Sequence, residues 1–548
     1  MKKLILILLL SLVLPASMFG LGSTGRLTGT VQDKASQEPL AGALVELQQT
    51  GFKAVTDTAG KFTFLNLPVG AYTLEVSLVT YARVKVEDVK VSADLTTLQN
   101  IELPVLTALT EELVVTAERP LIDQAATTKS LVFTTEKINE VPLRGVRQIV
   151  GLSPGVVQNE RDDDKMYLRG GRNGEVAFYV DGILQNSPID NTVSGEISNS
   201  ALQEIVVESS YDAQYGNAAS GIINATTKNP SADRYAVRAE AITDGFIPEN
   251  EARLGLTGYG YALYNLSLSG PIIPGNNALS FYGLVERQNL ADAVPTEGFG
   301  VRPGAGLKLW NAVWKLRYDP QQSFKIDIGG NYTASSLRFF SRQRGYDEYA
   351  VERRDESGEL LGYDFIKGNS SENGRRDENR VLQLYARYTQ PLGKLAYLTI
   401  QGHYSGTETE VGDNRYWNDF DKYQENGAIG QDAFDLVNLP GNPFNAYWKE
   451  SVDFYELRTD FEAQTGSHNL KTGGQFRYHS YKLVEFRPEV SRENDTQVNL
   501  IGYSPEDIGY APFTQFYKDN PDLINSETDG ARHPIIASFY MRDLIELK

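Results

Sequence analysis

Two segments, MYLRGGRNGEVAFYVDGI (residues 166–183) and YDAQYGNAASGIINATTKNP (residues 211–230), decide how this chain is read. Each sets glycines between short β-prone runs, where a backbone must turn tightly or be approached closely. In the first, Arg169, Gly170 and Gly171 follow an apolar run, and Asp181 with Gly182 fits a tight connection between two strands. In the second, Tyr215, Gly216 and Gly221 lead into another apolar strand. The pattern predicts strands over 166–168, 175–180 and 204–208. Upstream, residues 133–138 read as a threonine-capped helical turn leading to Val141-Pro142. A second short amphipathic helix over 146–152 ends at Ser153-Pro154-Gly155-Val156.

Working outward, the stretch 235–548 alternates apolar and polar residues over long runs. Phe324, Ile326, Ile328 and Tyr332 alternate with Lys325, Asp327, Asn331 and Thr333. Trp310, Trp314, Leu316 and Tyr318 alternate with Asn311, Lys315 and Arg317. Leu382, Leu384, Ala386 and Tyr388 alternate with Gln383, Arg387 and Thr389, and Phe476 and Tyr478 with Gln475, Arg477 and His479. One face suits lipid, with aromatics near the strand ends, and the other suits a wet lumen. A soluble sandwich also alternates, so the connections decide. Short ones at 270–277, 319–323, 391–394 and 464–469 take turns with long ones at 290–309, 339–379, 406–451 and 487–534. Such asymmetry belongs to outer-membrane barrels, whose short turns and long loops lie on opposite sides. Roughly ten strands are expected, each near the length a tilted membrane strand needs.

The chain opens with Lys2 and Lys3, an apolar run from Leu4 to Leu14, and small residues at Ala16, Ser17 and Gly20. This is the layout of a cleaved secretory signal, expected over 1–22. Over 25–104, short alternating strands are broken by turns at Glu38-Pro39, 57–60 and Pro68-Val69-Gly70. Leu27 and Val31 share one face, as do Ala43, Val45 and Leu47, then Phe62 and Phe64, then Tyr72, Leu74 and Val76. A small β-sandwich follows from that spacing.

Composition sets the outer limits. With 548 residues, more than one core is expected. No later segment is apolar for long enough to make a membrane helix, and mean hydropathy is −0.34. The absence of cysteine excludes a disulfide framework and a thiolate metal site. A net charge of −19, from 52 basic and 71 acidic residues, argues against a nucleic-acid partner. The four histidines, His403, His468, His479 and His533, form no zinc spacing, and Asp162-Asp163-Asp164 reads as a solvated acidic run. No cofactor or metal is expected.

The elements SPGV (153–156), LRGG (168–171), YVDGI (179–183) and YGNAASGIINATTK (215–228), in that order, resemble the plug of TonB-dependent outer-membrane receptors, expected over 121–230. Arg169 and Arg172 are expected to pair with carboxylates of the plug or of the surrounding wall. GTVQDKASQEPLAGALVEL (29–47) and TDTAGKFTFLNLPVGAYTLEVSL (56–78) resemble the carboxypeptidase regulatory-like, transthyretin-type domain. Where such domains commonly carry Gly-Tyr, this chain has Thr80-Tyr81. The region 105–120 reads as a linker, within which Glu112, Leu113, Val114, Val115 and Thr116 resemble the TonB box, an extended segment that adds a strand to its partner's sheet. An ordinary linker or a last strand of the sandwich is the alternative reading of those five residues. The fold class is therefore mainly β: an N-terminal sandwich, an α+β plug and part of an antiparallel transmembrane barrel, about 10 of the about 22 strands of plugged transporters. The barrel is expected to be truncated, since ten strands cannot enclose such a plug.

The resemblance implies active import of a scarce nutrient across the outer membrane, without a catalytic step. It implies TonB, driven through ExbB and ExbD, as the partner at Glu112–Thr116, with outer-membrane lipid around the wall, the N-terminal domain in the periplasm, and a surface-exposed substrate-binding lipoprotein as a further partner. Loops at 415–448 and 503–517 are rich in Tyr, Trp, Phe, Asn and Asp, which stack on sugars and bond their hydroxyls. Acidic residues there (Asp413, Asp419, Asp421, Glu425, Asp432, Asp435) disfavour a strongly anionic ligand. Oligosaccharides or peptides stand ahead of ferric siderophores or cobalamin. The rival classes are a signalling or adhesion receptor that does not transport, and a secreted peptidase, for which the sequence offers no catalytic constellation.

Overall fold

Alternation at the N-terminus folds into two facing sheets. One is built on Thr24–Asp33, which pairs with Lys61–Pro68 on one side and with Thr96–Leu98 and Ile101–Leu103 on the other. The second runs Lys53–Val55, Leu44–Leu47, Gly70–Ser77, Arg83–Val91 and Glu112–Thr116. Leu27, Val31, Val45, Phe62, Leu74 and Val86 fill the space between them. The structure is a computed structural model that describes residues 24–545 apart from 49, 107–111, 117–129, 159–165, 173–174, 188–190, 192, 194, 209–213, 216–218, 254–255, 294–300, 303–304, 321–322, 339–347, 356, 368–374, 394, 414–416, 418–446, 489–495 and 504–529. The expected secretory signal, the triple aspartate at 162–164, Gly216 and nearly all of the loops at 415–448 and 503–517 lie outside the described residues.

Two details settle points left open by the sequence: the turn at Thr80-Tyr81, and Glu112–Thr116, which takes its alternative reading as a last strand of the sandwich. Thr80 stands at φ 76°, the left-handed conformation that glycine adopts without strain, so the turn is kept although the glycine is not. Its neighbour Tyr81 donates its hydroxyl to Asp33 at 2.8 Å and ties the turn to the first strand. Within the region read as a linker, Glu112–Thr116 is a strand, parallel to Arg83–Glu87. Leu113 supplies the reason, since it packs against the sandwich core while Val114, Val115 and Thr116 stay exposed.

The central domain is a five-stranded sheet in the order Ser130–Thr134, Leu202–Glu208, Gly221–Thr227, Val176–Val180, Ile183–Leu184. The first three strands are antiparallel, and Gly221–Thr227 runs parallel to Val176–Val180. Helices Thr135–Glu140 and Val146–Val150 cover one face, burying Ile138 and Ile149 against Phe178, Ile205 and Ile223. The second helix ends at Val150, two residues before the expected end, with Gly151 as its C-cap. Thr134 has the extended backbone of an N-cap (φ −78°, ψ 165°), but its side chain does not bond the helix N–H groups. It bonds the Glu136 side chain instead, which holds that carboxyl below its ordinary range.

The wall is one antiparallel sheet in which Ala236–Thr243, Ala262–Ile273, Asn276–Leu290, Leu307–Tyr318, Lys325–Arg338, Arg376–Pro391, Ala396–Gly412, Tyr447–Thr465 and His468–Pro488 follow one another. Thr496–Ile501 and Ile535–Ile545 share the last position, pairing with opposite halves of His468–Pro488. Strands run further past 406 and 451 than expected, because polar cross-strand partners such as Lys449 and Glu408 (2.9 Å) continue the ladder. Among the described residues the sheet does not close on itself.

Burial in the wall is inverted relative to a soluble protein. Ile328 is 48% exposed beside Asp327 at 2%, and Leu384 is 40% exposed beside Gln383 at 2%. Most apolar side chains face outward and the polar ones face the central domain, as a wall between lipid and a wet lumen requires, with Tyr282, Leu284 and Val313 as inward-facing exceptions. No helix among the described residues is long and apolar enough to cross a membrane.

Candidate functional site

The two glycine-rich segments meet. Val176 pairs with Gly221 across the parallel strands, which sets the segments side by side. A Cβ on Gly221 would fall 2.0 Å from Leu168 Cδ2 and 2.6 Å from the Glu208 carbonyl oxygen. A Cβ on Gly171 would fall 2.4 Å from the Ser220 Cβ. Close approach of backbones, rather than turn geometry alone, is what these two positions require. Arg169 (φ 50°) and Gly170 (φ 76°) turn the chain out of its strand, and the Arg169 N–H donates to the Gly155 carbonyl at 2.7 Å. The side chains of Arg169 and Arg172 are exposed and form no ion pair among the described residues; the plug carboxylates Glu160, Asp162–Asp164 and Asp212 lie outside those residues.

Asp181 and Gly182, both left-handed, connect Val176–Val180 to Ile183–Leu184. The Asp181 carboxylate accepts from the Thr227 N–H at 3.0 Å and the Thr227 hydroxyl at 2.6 Å, which pins the hairpin to the neighbouring strand. It also faces Lys315 of the wall at 3.4 Å, and Lys315 donates to the Thr227 carbonyl at 3.2 Å. Arg387, two strands further round, donates to the Asp181 carbonyl at 2.5 Å. This buried, hydrogen-bonded cluster fastens the tip of the central domain to the lumen.

Other lumen residues grip the domain along its length. Arg317 donates to the Asn229 side chain at 3.0 Å and Arg458 to the Gln214 carbonyl at 3.1 Å. Thr333 and Asn311 both donate to the Glu196 carbonyl. Glu286 accepts the Ser198 hydroxyl at 2.6 Å, and Glu240 faces Arg144 at 3.2 Å. Lys228 bonds the Ser200 carbonyl at 2.8 Å; burial, and then the Arg238 charge, push its pKa below the ordinary lysine range.

The sandwich forms the third contact. Its Asp94 side chain, 5% exposed, accepts from Tyr215 at 2.7 Å, from Asn224 at 3.2 Å and from Lys471 of the wall at 3.4 Å. Burial, and then the Asp94 and Glu208 charges, raise the Tyr215 pKa well above its ordinary value, so the phenol remains a donor. Next to it, the Ala93 N–H donates to Glu204 at 2.6 Å. Elsewhere a cavity of about 430 Å³, lined by Phe52, Phe64, Phe324, Pro391 and Tyr397 among others, separates the sandwich from the short-turn rim of the wall.

Sequence reasoning brought Gly171, Gly221, Asp181 and Tyr215 into one region, and the structure places all four around the central sheet. It singled out Lys315 and Arg387 only as lumen-facing residues. Asp94 carried no signal, because a single aspartate in a turn is common and its partners are more than a hundred residues away. Among the described residues, no group of three or more His, Cys, Asp or Glu side chains lies close enough to hold a metal ion.

Comparison with known proteins assigns two of the three parts. Residues 26–104 match the carboxypeptidase regulatory-like domain, and residues 123–222 match the TonB-dependent receptor plug domain. No curated protein matches the sequence. Among solved structures, the chain resembles the outer-membrane transporter YddB from Escherichia coli, at 14% identity over 65% of this chain and 49% of that one, with a TM-score of 0.44. It also resembles P. aeruginosa FpvA bound to a heterologous pyoverdine (13% identity, 78% and 50% of the two chains, TM-score 0.49). A third likeness is to the ferric yersiniabactin uptake receptor FyuA from Yersinia pestis (12%, 76% and 61%, TM-score 0.40). The chain spans about half the length of the first two.

Proposed function

We propose that this chain, which carries a carboxypeptidase regulatory-like domain and a TonB-dependent receptor plug domain, is the gated part of an importer that moves a scarce nutrient across the outer membrane. The observation that carries the reading is the plug's setting. Its sheet lies against the inner face of a wall that is apolar outside and mostly polar inside, fastened by many hydrogen bonds and ion pairs around one apolar patch at Tyr282, Leu284 and Val313. Polar contacts of that kind exchange for water at modest net cost, whereas a continuous hydrophobic interface would not. A plug held this way is stable at rest and movable under load.

TonB, energised through ExbB and ExbD, supplies that load at Glu112–Thr116, by adding a strand whose main-chain bonds do not depend on side-chain identity. The sandwich lies in the periplasm and the long connections face outside. Oligosaccharides or peptides are favoured over ferric siderophores or cobalamin, on the loop composition and its acidic residues. Cells expressing the protein are tested with labelled maltodextrins, peptides, ferric siderophore and cobalamin. For the ligand that binds, deletion of residues 111–117 abolishes accumulation and leaves surface binding intact. Unchanged accumulation after that deletion refutes the reading.

A further inference from the structure

We propose that the sandwich is the element through which a pull on Glu112–Thr116 reaches the plug, with Asp94 as the residue that transmits it. The proposal rests on the reading of Glu112–Thr116 as the partner's docking strand, and it assigns the sandwich a mechanical role.

Three observations carry it. First, Glu112–Thr116 is not a free tether. It pairs in register with Arg83–Glu87, from Arg83 opposite Glu112 to Glu87 opposite Thr116, and Leu113 is packed against the sandwich core. Second, among the described residues it is the outermost strand of its sheet, with no strand paired to its other edge, and Val114, Val115 and Thr116 are exposed. A partner strand extends the sheet to a sixth position without displacing anything. Third, the strand that holds it leads directly into the plug contact. Arg83–Val91 runs on through Ser92 and Ala93 to Asp94, whose carboxylate is buried between Tyr215 and Asn224 of the plug and Lys471 of the wall. The Ala93 N–H is held by Glu204 of the plug as well.

The load path is therefore short and continuous. A pull along the parallel pair loads its inter-strand bonds together and passes into the Arg83–Val91 strand. From there it reaches Asp94 and the strand Gly221–Thr227, which contains Asn224 and lies in the middle of the plug sheet. The alternative path, along the chain through residues 117–129, would first load Ser130–Thr134, the edge strand of that sheet. The two paths differ in which plug strand opens first.

The test uses the full chain in nanodiscs, with the periplasmic domain of TonB on a magnetic bead as the probe. The natural chain has no cysteine, so Ala225→Cys in the buried central strand reports its opening by maleimide labelling under a fixed force. Labelling under force that falls roughly tenfold when Asp94→Ala is added is the expected result, the size set by loss of charge-assisted hydrogen bonds. Tyr215→Phe, which removes one bond and keeps the packing, gives a smaller fall in the same direction and covers the case in which Asp94→Ala does not fold. Lys85→Cys with Val114→Cys, which face each other in the register, staples the docking strand to the sandwich when oxidised. The stapled protein still forms tethers. Labelling unchanged by both Asp94→Ala and Tyr215→Phe, or loss of tethers on stapling alone, overturns the proposal and leaves the docking-strand reading standing. Failure of the unstapled natural sequence to form any tether overturns that reading, and the proposal with it.

Discussion

Lys315 of the wall stands 3.4 Å from the carboxylate of Asp181 at the tip of the plug hairpin, and neither side chain is more than 6% exposed. Removing one partner of such a pair leaves the other charged and dry. Lys315→Met is expected to destabilise the docked plug by about 3–5 kcal/mol. Asp181→Asn keeps the left-handed turn, since asparagine tolerates that conformation. The double variant is therefore expected to recover much of the loss. Thermal unfolding of the four proteins in one detergent, arranged as a double-mutant cycle, checks this; additive losses would show that the two residues do not act as a pair.

Gly221 is where the glycine-rich segments touch, and the obstruction includes backbone, since the Glu208 carbonyl oxygen lies 2.6 Å from where a Cβ would stand. Gly221→Ala is expected to cost about 1–3 kcal/mol through overpacking. Faster proteolysis within residues 166–228, with the wall unaffected, is the signature to look for.

Thr80 holds a left-handed conformation at φ 76° in an exposed turn. Thr80→Gly relieves that strain, about 1–2 kcal/mol before the greater freedom of glycine in the unfolded chain is subtracted. A small net gain in the sandwich's resistance to urea is expected, and a clear loss would mean that the threonine is held there by a favourable contact.

Asp33 gives the sandwich a pH dependence. The Ser36 N–H, then the Tyr81 hydroxyl and the Ala35 N–H, hold its pKa below the ordinary 3.8. A depressed folded-state value means that the contribution is present above pH 3.8 and is lost as pH falls through the folded value. Hydrogen exchange at Ser36 and Ala35, corrected for intrinsic rates, should lose protection only as pH falls below 3.8, through the depressed folded value. Asp33→Asn should show reduced protection at neutral pH and no further acid-dependent step.

These residues also mark what the sequence could and could not reveal. The wall was legible because a period of two is written in several of its strands, and Asp327 beside Ile328 is enough to orient one. The glycine-rich segments were legible because close backbone approach permits few residue types. Arg169 and Arg172, expected to form ion pairs, form none among the described residues, and charge alone does not say which way a turn directs a side chain. A last strand of the sandwich was among the readings of Glu112–Thr116, but its partner Arg83–Glu87 and the contacts of Asp94 were not legible. They depend on how the sandwich seats against other parts of the chain, and no local periodicity encodes that placement.

The most direct measurement is disulfide trapping in living cells. Val114→Cys in this otherwise cysteine-free chain is paired with single cysteines along the edge strand of TonB's periplasmic domain. Adducts at alternate positions along that strand, and none from Val79→Cys at an exposed position outside Glu112–Thr116, are the predicted result. Absence of any adduct, from a protein shown to be folded in the outer membrane, would contradict the reading of Glu112–Thr116 as the handle of a gated importer.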